Sequence, residues 1–506
     1  MRLSNQQLIR HILLFLWLVL TIYGTLHHVY WRDEVRALSI ATSANSMISL
    51  PSFLLNEGHP FLWYAVLRIG YFFIGTTAIL PIASFLFALG FVWLLLYKSP
   101  FHWLFVAVII FGLYGLHEYN INARNYGIAA FLMFLFAWFA RHKKPRFWGY
   151  LFLLLLTQTN FYAMIMAGIL ASLYFLQTSL PYFNRENATK NKIDWKGFVG
   201  LMVVFAGCLF CVFTCLPTKD SLVIAPTHFA DFNYSKIWDV GWGFPDLFSG
   251  EFNFKHGFYT FVLLLCLLTF VRLPLTMLGV FITMMFMAFF HINLRYNFLH
   301  HQGMWLFTFI TIVWWNYDEI MEGLRKNILF KTTTLIGVTA FTLIMIGFLR
   351  RGIQTYGVNL KEPYSNSKEI GTYLTKVDNP NVVIIAEPDY NMESVIYYYN
   401  KPFYLMREGT FKKYAHFTTA NQRYLEFSDI LSKYDSFEKN GKTPIIVMGL
   451  SIPKQAATFM HSYNKTLSLS QKALDSFHNE FEEVAHFDKY KRNDEVYYVY
   501  RKKIKK

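Results

Sequence analysis

A chain of 506 residues has the length of about three or four soluble domains, yet 54% of it is hydrophobic, 19% aromatic and only 16% charged. Soluble domains carry roughly a quarter of their residues as charged side chains, so a single soluble enzyme is excluded, and so is a disordered chain. The net charge of +15 does not mark a nucleic-acid binder. No arginine-rich arm or nucleic-acid motif accompanies it, and in membrane proteins Lys and Arg collect in cytoplasmic loops and at headgroups.

Charge is spread unevenly. Residues 1–351 hold 39 charged side chains, whereas residues 352–506 hold 40 in less than half the length. The expected architecture is therefore a polytopic α-helical membrane module over 1–350, followed by a soluble domain over 351–506.

Arg2 and Arg10 precede the apolar run 12–26, and no small-residue cleavage site follows. This reads as a retained signal-anchor with its N-terminus in the cytoplasm. Residues 27–77 read as a long external loop, in which Arg32, Arg36 and Arg68 interrupt two apolar stretches suited to interfacial helices. Ten more spans are expected near 78–97, 101–117, 126–140, 147–160, 161–177, 197–216, 257–271, 273–290, 304–316 and 331–349, giving eleven. Several fall short of the ~20 residues that a span needs. The basic loops support the alternation: Lys98, the cluster from Arg141 to Arg146, the 178–196 loop, Arg272 and Arg325-Lys326 all land inside. Arg350-Arg351 is the one exception. An odd count puts the tail outside.

The four cysteines, Cys208, Cys211, Cys215 and Cys266, lie in apolar runs and read as small buried hydrophobes rather than metal ligands. In the tail, apolar runs at 382–386 and 445–448 alternate with helical patterns at 391–400 and 421–439, and a strand-like 496–500 closes the chain. That pattern predicts a small α/β sandwich. Neither strand is followed by a Gly-rich phosphate loop, so no nucleotide site is expected there.

Three polar clusters fall where the chain meets the external face. Trp31-Arg32-Asp33-Glu34 follows the first span. Acids at a membrane surface are costly unless paired or exposed, although the start of a helix also favours them. Adjacent helical residues point about 100° apart, so Asp33 and Glu34 cannot address the same atom. One is expected to act on substrate as a general base, and the other to hold structure. Gly58-His59-Pro60 follows, with Trp63-Tyr64 beyond. Pro60 suits the first turn of a helix, which leaves His59 at an end that favours anions.

The run from His117 to Tyr126 includes Glu118, Tyr119, Arg124 and Tyr126 and joins two spans outside. It reads either as an interfacial tip or as a pocket. A similar density recurs at His291, Arg295, Tyr296, His300 and His301. Three histidines with an arginine in a short external loop suit phosphate or a metal ion, and spacing alone leaves both open.

In this order, these motifs resemble the GT-C superfamily of polytopic membrane glycosyltransferases, whose members include protein O-mannosyltransferases and the lipid A aminoarabinose transferase. The resemblance rests on Asp33-Glu34 in the first external loop, His59-Pro60-Phe61-Leu62-Trp63-Tyr64, and Tyr119 to Tyr126 with its Ala123-Arg124. Phe61 departs from the second proline of the commoner pattern. The whole run, including Ser365-Asn366-Ser367-Lys368-Glu369, is similar to uncharacterised bacterial members.

The resemblance implies a bacterial inner-membrane enzyme with an extracytoplasmic C-terminal domain. It would take a sugar from a polyprenyl phosphate or diphosphate and pass it, with inversion, to a glycan, lipid or protein acceptor. Asp33 would be the base. Positive charge for the leaving phosphate would come from His59, Arg124, Arg295, His300, His301 or a divalent ion, with Tyr64, Glu118, Tyr119 and Tyr126 lining the pocket. A transporter or lipid flippase for an anionic substrate is the alternative, since intramembrane charges mark substrate paths there too.

Overall fold

The computed structural model describes residues 5–142, 145–179, 194–221, 256–294, 298–418, 421, 424–462, 465–490 and 493–504. Helix α1 (Asn5–His27) leads into a connection holding α2 (Arg32–Ser43), α3 (Leu50–Phe53) and α4 (Phe61–Ile74). Helix α5 (Ile79–Tyr97) is followed by α6 (Trp103–Phe111), which continues into a π-helical segment, Tyr114–Ile121. Then come α7 (Tyr126–Arg141), α8 (Arg146–Thr157), α9 (Phe161–Ser179), α10 (Trp195–Cys215), α11 (His256–Leu267), α12 (Pro274–Leu294) and α13 (Leu299–Trp315). A short amphipathic α14 (Tyr317–Lys326) precedes the long α15 (Ile328–Lys361).

Among the described residues, α1, α5, α9, α10, α12 and α15 are long and apolar enough to cross a membrane. The bent pair of α6 and the π segment makes a seventh if counted as one. Outward side chains such as Phe15, Leu209 and Phe213 are apolar and exposed, as a lipid-facing surface requires. Helix α4 is shorter, and Phe72 and Phe73 near its end are exposed.

The π segment has a local cause. A Cβ on Gly115 would sit 2.4 Å from the Ile109 carbonyl, so only glycine lets the chain double back on α6 this tightly. A widened turn strains the backbone ladder, and neighbouring helices serve its carbonyls. Trp17 Nε1 donates to the Gly115 carbonyl at 3.1 Å, and Ser84 Oγ to that of Asn120 at 2.6 Å.

The C-terminal region comprises α16 (Ser367–Val377), β1 (Val382–Glu387), a 3₁₀ turn at Asp389–Glu393, α17 (Ile396–Tyr399), β2 (Phe403–Leu405) and β3 (Thr410–Lys412). It continues with β4 (Tyr424–Glu426), α18 (Phe427–Lys439), β5 (Thr443–Met448), β6 (Ala457–His461), β7 (Lys465–Leu469), α19 (Gln471–Glu480), β8 (Phe481–Phe487) and β9 (Tyr497–Lys502). Six strands form a mixed sheet ordered β3-β2-β1-β5-β9-β8, with β1 parallel to β2 and β5. A second sheet is ordered β4-β7-β6. Strands β1 and β5 are central and almost wholly buried, which is why they read as unbroken apolar runs.

Several boundaries differ from the hydropathy reading. The helix expected over 331–349 lies within α15, which runs unbroken to Lys361 and so passes the boundary expected at 351 before the sheet-containing region begins. The loop expected over 291–303 is shorter: His291 belongs to α12, and His300 and His301 to the first turn of α13. Polar residues look like loop in a hydropathy profile, but these pack against protein. The helical pattern at 391–400 is a 3₁₀ turn plus the single-turn α17, and that at 421–439 contains strand β4 before α18.

The C-terminal region rests on the connection that carries α2. Ser367 Oγ donates to the Tyr30 carbonyl at 2.7 Å, the Tyr30 N–H donates to Tyr398 Oη at 3.0 Å, and Thr77 Oγ1 donates to the Tyr397 carbonyl at 2.9 Å. At the opposite end of α1, the Arg10 guanidinium donates to the Leu96 and Phe101 carbonyls in the turn between α5 and α6.

Candidate functional site

Asp33 and Glu34 lie in the first turn of α2, and their environments diverge. Glu34 is fully buried and its carboxylate is consumed. Oε1 accepts the Ala123 N–H at 2.7 Å, Oε2 accepts the Trp31 N–H at 3.1 Å, and His28 Nε2 lies 2.9 Å from Oε2. Burial opposes charge on His28, but the Glu34 carboxylate outweighs it, so the imidazole holds its proton more tightly than usual. His28 Nδ1 meets Asn359 Oδ1 at 3.0 Å, which ties the cluster to α15.

Asp33 points the other way. Its side chain is 40% exposed and lies 3.8 Å from Arg124 Nη2 and 3.9 Å from Arg32 Nε. Both distances exceed a hydrogen bond, so among the described residues its carboxylate is the one acid in α2 left open to a ligand. Arg124 follows the π segment, and its Nη1 donates to His300 Nε2 at 3.3 Å. Because guanidinium only donates, His300 Nε2 must accept, and the imidazole carries its proton on Nδ1. The Arg124 guanidinium also lies 5.5 Å from the Tyr126 ring centre and 5.9 Å from that of Trp31.

The aromatic side chains of this cluster build its wall. Tyr119 stacks on Tyr126 at 5.4 Å and donates its hydroxyl to the His300 carbonyl at 2.7 Å. Tyr114 donates to the Leu299 carbonyl at 2.9 Å. These bonds hold the first turn of α13 against the π segment. Gly303 permits this, because a Cβ there would sit 2.4 Å from Tyr119 Oη. Tyr64 is buried within α4. Glu118 is mostly buried and is taken up by Asn122 Nδ2 at 3.1 Å and His117 Nδ1 at 3.4 Å.

His59 sits just before α4, partly buried. Burial, then the charges of Arg124 and Arg36, lower its pKa to about 4, with Asp33 opposing them. The free imidazole is thus neutral near pH 7. His301 packs on Tyr162 at 4.4 Å between ring centres. Arg295 lies outside the described residues.

The structure therefore brings Asp33, Arg124, His300, Tyr126 and His59 into one neighbourhood. It gives Glu34 and Tyr119 bracing contacts and leaves Glu118 to its own partners. Among the described residues, no group of three or more His, Cys, Asp or Glu side chains is placed to hold a metal ion. A divalent ion therefore has no ready-made ligand set among them, and the cations beside Asp33 are arginines.

Sequence reasoning passed over the residues that immobilise this cluster. His28 gives no signal in a hydropathy profile. Arg32 and Arg36, read as interruptions of an apolar stretch and as neighbours of the Asp33-Glu34 pair, are held by acids of the C-terminal region and, for Arg36, also by Glu57 of the first connection. Arg32 Nη1 pairs with Asp494 at 2.8 Å, and Arg36 pairs with Glu57 at 2.6 Å and with Glu393. Both arginines thus have carboxylate partners closer than Asp33, whereas among the described residues Arg124 has none closer than its 3.8 Å contact with Asp33.

No protein-family model matches the chain, and no curated protein matches it.

Proposed function

We propose that this protein is a membrane glycosyltransferase that moves a sugar from a polyprenyl-phosphate donor to an acceptor hydroxyl on the extracytoplasmic face of a bacterial inner membrane. The observation that carries this reading is the contrast within α2: Glu34 is consumed by three partners, while Asp33 stands half-open 3.8 Å from Arg124.

In the reaction, the acceptor oxygen attacks the anomeric carbon from the face opposite the phosphate and inverts it. A new C–O bond forms as the bond to the phosphate oxygen breaks. Asp33 takes the acceptor's proton, a contribution of about 10²–10⁴ in rate. The lipid phosphate departs as a stable anion and needs positive charge rather than a proton, and Arg124 supplies it. Glycosidases instead place a second carboxyl as acid on the leaving group, and Glu118, taken up by Asn122 and His117, is poorly placed for that.

We count eleven crossings in this reading: α1, α5, α6 with its π segment, each helix from α7 to α13, and α15, with α4 and α14 lying along the surface. Contacts between helix ends support the count. Arg10 meets the α5–α6 turn, Tyr119 meets the start of α13, and Arg141 at the end of α7 pairs with Asp318 of α14 at 3.0 Å. The first connection and the C-terminal domain then share one face. Arg141, Arg146 and Arg272 crowd the other, as the positive-inside rule requires of a cytoplasmic surface.

The test is to incubate the purified protein with a panel of polyprenyl-phosphate sugars and measure free polyprenyl phosphate. Turnover by the wild type that Asp33→Asn abolishes is the expected result, and equal turnover by both removes Asp33 as the base. One observation favours a transporter instead: broken helices form substrate sites in transporters, and the α6–π pair bends by 42° beside Arg124. Liposomes that exchange labelled lipid across the bilayer without releasing phosphate would establish that alternative.

A further inference from the structure

Two short stretches of the C-terminal region converge on the start of α2: the Ser365-Asn366-Ser367 run that opens it, and the acids Asp494-Glu495 ahead of β9. They meet on the backbone next to Asp33. Glu495 is fully buried; its Oε1 accepts the Arg32 N–H at 2.8 Å and its Oε2 accepts the Ser365 hydroxyl. Asn366 Nδ2 donates to the carbonyls of Glu495 at 2.9 Å and Tyr490 at 2.8 Å, while its Oδ1 accepts the Tyr490 N–H at 3.1 Å. Ser367 holds the Tyr30 carbonyl, and Asp494 holds the Arg32 guanidinium through two bonds of 2.8 and 2.9 Å.

The first N–H groups of a helix have no partner within it, and a side chain at the N-cap ordinarily serves them. Here the N-cap is Trp31, whose indole makes no such bond. Within the helix Glu34 accepts the N–H of Trp31, and the N–H of Arg32, the first helical residue, goes to a carboxylate 463 positions along the chain. The domain therefore grips α2 one residue before Asp33, while Glu34 grips the tip one residue before Arg124.

We propose that Glu495 is a positioning residue that caps α2 from the C-terminal domain and so sets Asp33 against Arg124. The placement of α2 stands independently of the reaction; the effect on rate rests on the glycosyltransferase reading. Burial pushes the Glu495 carboxyl up to about 7, so its acceptor oxygen matters more than its charge. A glutamine keeps one such oxygen, and an alanine keeps none.

The experiment is hydrogen exchange of the full-length protein, read over the first turn of α2, with lipid-phosphate release measured in parallel. In Glu495→Ala the α2 amides should exchange about tenfold faster, the scale of a lost helix cap, while β1 and β5 stay protected. Glu495→Gln should restore most of the protection. In turnover, Glu495→Ala should lower kcat by about tenfold to a hundredfold with donor KM unchanged, as misplaced catalytic groups do. Asp378→Asn, which cuts the Lys401 pair elsewhere in the domain, should change neither readout. Wild-type exchange of α2 in Glu495→Ala, or no rescue by Glu495→Gln, overturns the proposal. Should Glu495→Ala unfold the domain, Ser365→Ala loosens Glu495 without removing it, and wild-type exchange of α2 there overturns the proposal equally. If the wild type releases no lipid phosphate, the transferase reading fails while the exchange result still decides the cap.

Discussion

Glu34 and Ala123 are joined by a 2.7 Å hydrogen bond from the Ala123 N–H to Glu34 Oε1. Each is the chain neighbour of a residue at the centre of the site, Asp33 on one side and Arg124 on the other. The bond thus links the start of α2 to the end of the π segment. It accounts for how two side chains 91 positions apart in the sequence come within 3.8 Å.

Two substitutions in that turn should separate structure from chemistry. Glu34→Ala strips the partner from buried His28 and orphans two backbone N–H groups, and breaking a buried pair costs about 3–5 kcal/mol. Asp33→Asn changes a half-exposed side chain without a hydrogen bond and should stay within about 0.5 kcal/mol of wild type. Thermal unfolding of the purified proteins, followed by tryptophan fluorescence, should show a large loss for the first and little change for the second. Both should lose turnover.

Arg124 is expected to carry the leaving-group charge. Arg124→Ala should lower kcat about 10²–10³-fold, the usual cost of removing one preorganised donor. Arg124→Lys keeps the charge but loses the planar fork that reaches His300 and Asp33 together, and should fall between. Steady-state release of polyprenyl phosphate measures both, and an unchanged kcat in Arg124→Ala removes it from the site.

The lowered pKa of His59 sets a pH dependence with a definite sign. The free imidazole is neutral down to about 4 because of burial and the charges of Arg124 and Arg36. Below the ordinary histidine value the unfolded chain takes up a proton that the folded one refuses, so this group costs stability as pH falls from about 6.5 toward 4. A bound phosphodiester stays anionic throughout and draws the pKa back up, so donor binding takes up a proton. Affinity should rise as pH falls through the same window, by up to about tenfold per unit. Calorimetry in buffers of different ionisation enthalpy reads the proton directly, and His59→Ala should abolish it.

Sidedness has its own test. A cysteine at Lys368 should react with a membrane-impermeant maleimide in intact spheroplasts. One at Lys196 should react only after permeabilisation, since both positions are exposed and the proposed topology puts them on opposite faces. The native Cys208, Cys211, Cys215 and Cys266 are buried or partly buried and should contribute little background. Labelling of Lys196→Cys in intact cells would invert the topology and take Asp33 to the cytoplasm.

What the amino-acid sequence determined on its own is the membrane character, the presence of a sheet-containing C-terminal region, and the neighbourhood of residues worth watching. Hydropathy and charge density are local properties of a segment, and β1 and β5, buried on both faces, announce themselves the same way. Asp33, His59 and Arg124 stood out because polar residues are costly beside apolar spans, wherever the rest of the chain goes. The tertiary structure alone decided which of two adjacent acids is consumed, where α13 begins, and what becomes of Arg32 and Arg36. Those outcomes depend on partners such as Ala123 and Glu495, 89 and 463 positions away from the groups they bind. Hydrogen bonds across such separations leave no periodic trace in the chain, because only packing brings their donors and acceptors together.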